Sequence, residues 1–221
     1  MIEHVYRRAK AASSVDTVLV ATDDTRVYDT VTAFGGEARM TLATHRNGTE
    51  RLAELATNLK CDFIVNVQSD EPLVDPLSID MAISRLTKQA ADSSAPMSTL
   101  RYPLLTQAEI NNPNVVKVVV DSEGFALYFS RSKIPYTFDN KRRALCPVYK
   151  HLGIYAYKRD FLITLASLAP SPLEEIENLE QLRALEYGYR ISTVEVANDS
   201  IGVDTLDDLK LVRKIMLNRE T

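Results

Sequence analysis

Phe63-Ile-Val-Asn-Val67, followed by Gln68-Ser-Asp-Glu-Pro72 and then by Ser78 to Gln89, is the clearest strand–loop–helix unit in the chain. The apolar run reads as a buried strand, the polar segment as the loop at its C-terminal end, and the last stretch as the helix after it. Strands and helices of this size in alternation predict an α/β fold with a mostly parallel sheet. In such sheets ligands bind outside the carboxyl ends of the strands, which places Gln68, Asp70 and Glu71 where chemistry is expected.

Upstream, Ile2, Val5, Tyr6, Ala9 and Ala12 recur at spacings of three and four and predict a helix. Val18 to Ala21 reads as a strand ending in Thr22-Asp23-Asp24. A helix over Thr25 to Ala33 stops at Gly35-Gly36, residues 37–42 suit a short strand, and Thr49 to Leu59 is helical with Leu52, Leu55, Ala56 and Leu59 on one face. Downstream, Val115 to Val120, the turn Asp121-Ser-Glu-Gly124 and Phe125 to Phe129 predict a hairpin. Residues 132–147, with Lys141-Arg142-Arg143, read as a polar, mobile loop. Leu152 to Tyr157 is a strand and Arg159 to Leu168 a helix. Ser171-Pro-Leu-Glu174 has the Ser, Pro and Glu of a capping box, and the helix it opens is expected to run to Tyr187, with Gly188 as its stop. Ile191 to Val196 is the last strand, and Leu206 to Asn218 the last helix.

The bulk properties narrow the function. A chain of 221 residues with 45% hydrophobic and 25% charged residues is an ordinary globular protein. A formal net charge of -4 argues against a nucleic-acid groove, which needs a basic face. The apolar runs are strand-sized, far short of the ~20 residues that span a bilayer. Two cysteines, Cys61 and Cys146, make no disulfide framework and fit a reducing, cytoplasmic setting.

Several groups could carry chemistry. Asp70 and Asp204, at two distant strand ends, could share a magnesium ion with substrate phosphates; by spacing alone either is as readily a turn or cap residue. Asn47-Gly-Thr-Glu-Arg51 enters a helix as a glycine loop suited to an anion, although Arg51 could equally be a solvated charge. Arg131 follows an apolar strand, a good place for a bidentate carboxylate clamp. His151 and Tyr155 lie four apart in a strand and face one side. Glu180 and Gln181 sit on the helix opened by Pro172, where the default reading is a solvated face.

Taken together, these motifs are similar in order and spacing to the 3-deoxy-manno-octulosonate (Kdo) cytidylyltransferases. Those carrying the resemblance are Val20-Ala-Thr-Asp23, Gly48-Thr-Glu-Arg-Leu-Ala-Glu54, Ile64 to Pro72, Val116-Lys-Val-Val119, Ala126 to Arg131, His151-Leu-Gly-Ile-Tyr155, Pro170 to Glu174, Glu180-Gln-Leu-Arg183 and Gly202-Val-Asp-Thr205. The resemblance covers essentially the whole chain. It implies an α/β nucleotidyltransferase fold over residues 1–221, with a dimerising, hairpin-containing subdomain at about residues 100–150. It implies transfer of CMP from CTP to the anomeric hydroxyl of an eight-carbon sugar acid, with Mg²⁺, for lipopolysaccharide synthesis. By position, Asp70 and Asp204 match the metal aspartates, and Asp70, Asp204 and Arg131 the catalytic set. Gln68, Arg131, His151, Tyr155, Glu180 and Gln181 match the sugar-acid pocket, and Thr44, Asn47, Gly48 and Arg51 the nucleotide site. The resemblance also implies a chain truncated at its front, without the family's first strand and basic phosphate loop, since Met1-Ile-Glu-His4 resembles the family's segment just after that loop. Ser69 stands where the family has Gly, and Thr44-His-Arg-Asn47 where it has Asp-His-x-Ser. Two alternatives stay open at this point: a catalytically silent domain that dimerises or binds sugar, and a cytidylyltransferase for another sugar acid.

Overall fold

The computed structural model describes residues 1–88, 95–139, 146–203 and 205–219. In chain order the elements are α1 (Ile2–Lys10), β1 (Leu19–Thr22), α2 (Thr25–Ala33), β2 (Glu37–Met40), α3 (Gly48–Ala56), β3 (Phe63–Asn66) and α4 (Pro76–Thr87). They continue as β4 (Met97–Pro103), α5 (Gln107–Asn111), β5 (Lys117–Val120), β6 (Ala126–Ser130), β7 (Tyr149–Lys158), α6 (Arg159–Ser167), α7 (Pro172–Glu177), α8 (Gln181–Glu186), β8 (Ile191–Glu195) and α9 (Leu206–Arg219). Asp204, the basic stretch 141–143 and the expected helix end at Gln89 lie outside the described residues.

The expected α/β layering is present, and the sheet is mixed. Among the described residues, β4 and β8 of this six-stranded sheet are parallel, whereas β7 runs antiparallel to β3, β4 and β5; β1 and β2 pair in parallel in a two-stranded sheet of their own. β7 organises the sheet because it is long. One edge carries β4 along its length, and the other carries β5 at Tyr149–Lys150 and β3 at Tyr155–Lys158. The hairpin β5–β6 therefore continues the main sheet. Its turn closes at Gly124, whose φ of 84° is open to a residue without Cβ.

Alternation along β7 sends side chains to two cores. Tyr157 joins Phe129, Phe161, Leu162, Leu165, Leu182 and the small residues of α3 on one face. Ile154 and Ala156 join Ala9, Val74, Ile79, Ala82 and Leu100, covered by α1 and α4, on the other. Among the described residues no helix is long and apolar enough to cross a membrane.

One expected element divides. The helix opened by Ser171 ends at Glu177 and restarts at Gln181, with Asn178 between them at φ 51°, ψ 53°. Asparagine tolerates this left-handed conformation better than most residues, and it stops a helix in the way glycine does. The break has a consequence for the site, because it turns the chain immediately before Glu180.

Candidate active site

The C-terminal end of β3, the N-terminus of α3, the middle of β7 and the α7–α8 break meet at one place. Asn66, which closes β3, is buried and lies opposite Tyr155 of β7 in the sheet register. Its side-chain oxygen accepts from Gln68 Nε2 at 3.4 Å. Gly48 rests against both amides: a Cβ placed on it would sit 3.8 Å from Asn66 Nδ2 and 3.9 Å from Gln68 Nε2. Asn47 caps α3, its side chain accepting from Glu50 N–H at 2.9 Å.

Thr49, buried in the first turn of α3, links this side to the α7–α8 break. Its hydroxyl lies close to the Glu180 carboxyl and to the Tyr157 phenol. Burial pushes the Glu180 carboxyl up from its usual range, opposed by the Thr49 hydroxyl and the Arg183 guanidinium. Glu180 Oε1 and Gln181 Nε2 are both buried without a hydrogen-bond partner among the described residues. A buried acceptor and a buried donor left open side by side are costly unless a ligand completes them.

His151 and Tyr155 line the same face, their rings 5.3 Å apart, with Phe129 edge-on to His151 at 4.9 Å. Burial lowers the His151 pKa to about 3 and raises that of the Tyr155 phenol. The imidazole is therefore neutral and the phenol keeps its proton. Thr99 Oγ1 lies 2.8 Å from Ile154 O and 2.9 Å from His151 Nε2. A hydroxyl has one proton; once it is donated to the carbonyl, Nε2–H must be the donor to Thr99, which leaves Nδ1 as an acceptor.

The remaining expected residues stand around this centre. Arg51 pairs with Asp23 at 3.1 Å and donates to Thr41 Oγ1 at 2.5 Å, bridging the ends of β1 and β2. Thr44 is exposed in the loop before α3. Arg131 uses three of its N–H groups on backbone: Nε to Glu177 O at 2.8 Å, Nη1 to Pro113 O at 3.2 Å and Nη2 to Asn178 O at 3.2 Å. The geometry thus makes Arg131 a brace of the α7–α8 break. Asp70 lies in the loop after β3, and its carbonyl accepts from Val203 N–H at 2.9 Å, so the Gly202-Val203 segment is bound to that loop. Glu71 strengthens the join through a short contact with Ser200 Oγ, and burial raises its carboxyl pKa. Among the described residues no group of three or more His, Cys, Asp or Glu side chains is arranged for a metal. Magnesium does not require one, since it is held by one or two carboxylates together with phosphates and water.

Thr49, Asn66 and Tyr157 are part of the centre and were not among the expected site residues. Asn66 had a signal, a polar residue inside the apolar run Phe63 to Val67. Thr49 had none beyond its place beside Gly48.

The cytidylyltransferase family profile matches residues 1–191. The chain is 50% identical to the 3-deoxy-manno-octulosonate cytidylyltransferase of Syntrophotalea carbinolica, over 95% of this chain and 85% of that protein. It is 52% identical to the corresponding protein of Geotalea uraniireducens, over 96% of this chain and 86% of that one. Among solved structures, CMP:2-keto-3-deoxy-manno-octonic acid synthetase complexed with CTP superposes with a TM-score of 0.91 at 42% identity, over 99% of this chain and 88% of that one. A 4-diphosphocytidyl-2C-methyl-D-erythritol synthase from Anaerococcus prevotii, at 12% identity and a TM-score of 0.61, shares the fold. With identity near one half sustained over nearly its full length, the chain belongs to the 3-deoxy-manno-octulosonate cytidylyltransferase family.

Proposed function

We propose that the protein transfers CMP from CTP to Kdo, releasing pyrophosphate and supplying CMP-Kdo for lipopolysaccharide biosynthesis. The observation that carries this reading is the open pair at the α7–α8 break, Glu180 Oε1 and Gln181 Nε2, both buried, with Glu180 close to Thr49, Tyr155 and Tyr157. A polyhydroxy acid donates to the first and accepts from the second. Gln68, the Tyr155 phenol and the neutral His151 add polar contacts on the same side. The unused N–H groups of Arg131 suit the sugar carboxylate. The α3 N-terminus, with Thr44, Asn47, Gly48 and Arg51, takes the nucleotide.

Asp70 and Asp204 would hold Mg²⁺, whose charge would offset that of the triphosphate. The protein's own contribution is orientation. The anomeric hydroxyl attacks the α-phosphorus in line, an oxygen–phosphorus bond forms, the bond to the leaving pyrophosphate breaks, and the hydroxyl proton is lost to solvent. We place the enzyme in the cytoplasm as a homodimer, with residues 100–150 contributing the interface; exposed free thiols at Cys61 and Cys146 suit a reducing compartment.

The test is pyrophosphate release with CTP, Kdo and Mg²⁺, omitting each in turn and replacing Kdo by other sugar acids. Release is expected only with CTP and Kdo together. Release with a sialic acid in place of Kdo would move the assignment to another sugar, and release without any sugar acid would overturn it.

A further inference from the structure

Helix α7 contributes no buried residue, and Ile176 on its outer face is 81% exposed. Core packing therefore does not set its position; polar contacts at its two ends do. At one end Glu174 holds the buried Arg183 with both carboxylate oxygens, at 2.5 and 2.7 Å. At the other, Glu177 accepts from Ser130 Oγ at 2.6 Å through one oxygen and from Arg131 N–H at 2.9 Å through the other. Arg131 answers by donating to the carbonyls of Glu177 and Asn178. The Arg131 carbonyl is fixed in turn by Lys117 Nζ at 2.5 Å, and this fully buried lysine also donates to Asn112 O and Val115 O. The end of the β5–β6 hairpin and the C-terminus of α7 are thus one polar clasp. Directly beyond it the chain turns at Asn178, buries Leu179, and delivers Glu180 and Gln181.

We propose that Glu177 is a positioning residue for substrate: by clasping Ser130 and Arg131 it sets where Glu180 and Gln181 present their open oxygen and amide to the sugar acid. This rests on the reading of that corner as the sugar site. Glu177 is not one of the groups assigned to the sugar; it acts through Arg131, which it bonds directly, and through the two residues just beyond the break.

The test compares Glu177→Ala, Glu177→Gln and Glu180→Ala in the pyrophosphate-release assay, with KM measured separately for Kdo and CTP and thermal melts run beside them. Glu177→Ala removes both acceptors. It is expected to raise the KM for Kdo roughly tenfold, the size of effect that two lost hydrogen bonds produce, with the KM for CTP within about twofold. Glu177→Gln is expected to restore it, since the amide oxygen still accepts from Arg131 N–H and the amide nitrogen donates to a Ser130 hydroxyl that has reversed its role. Should Glu177→Ala fail to fold, Ser130→Ala, which removes one of the two Glu177 contacts together with the bond that Ser130 Oγ accepts from Ser132 N–H, is expected to raise the Kdo KM about threefold. The proposal is overturned if the alanine variants leave the Kdo KM unchanged while Glu180→Ala raises it, if both KM values rise together, or if the glutamine variant is as impaired as alanine. If Glu180→Ala itself leaves the Kdo KM unchanged, the reading of the corner as the sugar site fails, and the proposal with it.

Discussion

At His151 burial decides the chemistry. The ring is 8% exposed, packed between Phe129 and Tyr155, and has a pKa pulled from 6.5 to about 3 by desolvation. A depressed histidine pKa means that the unfolded chain takes up the proton first as pH falls. The stability it contributes is complete above the unfolded value and is lost as pH falls from about 6.5 towards 3. Between pH 8 and pH 5 the loss amounts to about 2 kcal/mol. Urea unfolding of the wild type and of His151→Gln at both pH values checks this. The wild type is expected to lose about 2 kcal/mol more than the variant; equal losses would mean that the folded imidazole ionises normally. The same neutrality leaves Nδ1 an acceptor, the role that the proposed sugar site gives it.

Among the elements, the α7–α8 break is the one the site depends on. A residue with Cβ in the left-handed region costs roughly 1–2 kcal/mol, less for asparagine and least for glycine. Asn178→Ala is therefore expected to lower stability by about 1 kcal/mol and to raise the KM for Kdo, whereas Asn178→Gly leaves both near wild type; urea unfolding and the release assay read the two effects. An alanine variant with unchanged stability and KM would show that the left-handed turn is not needed. The sequence announced the start of α7, because Ser171-Pro-Leu-Glu174 states its own cap, and Glu174 does accept from Ser171 N–H at 3.2 Å. It concealed the break, because Ile176, Leu179, Leu182 and Leu185 keep helical spacing straight through Asn178. β4 was concealed for the opposite reason. Met97-Ser-Thr-Leu carries two polar residues in a stretch buried on both faces, and these are satisfied only by distant partners, Ser98 Oγ donating to Ala82 O at 2.7 Å. The site followed the same rule. Residues set in ordered motifs, such as Gln68, Tyr155 and Glu180, were legible in chain order, while Thr49 gained its role from tertiary contacts with Glu180 and Tyr157 that no local pattern encodes.

For the molecule as a whole, the exposed apolar side chains are informative. Leu105 and Tyr136 are each 82% exposed and Phe138 is 96% exposed, all from the part of the chain assigned to the dimer interface. Leu105 also lines a cleft of about 350 Å³ with Leu104, Ile110, Cys146 and Val148. Large apolar groups left in water favour association, and burying one such ring contributes ~2–3 kcal/mol. In a two-fold dimer every such residue is buried twice, so one substitution is felt twice. Sedimentation equilibrium is expected to give twice the chain mass of 24.8 kDa for the wild type. The double variant Leu105→Asp, Phe138→Asp is expected to sediment as a monomer and to melt at a lower temperature that no longer depends on protein concentration. A wild-type monomer would remove the dimer from the account of this protein. A double variant that stays dimeric would assign the association to another face, and the exposed rings would then need an explanation of their own.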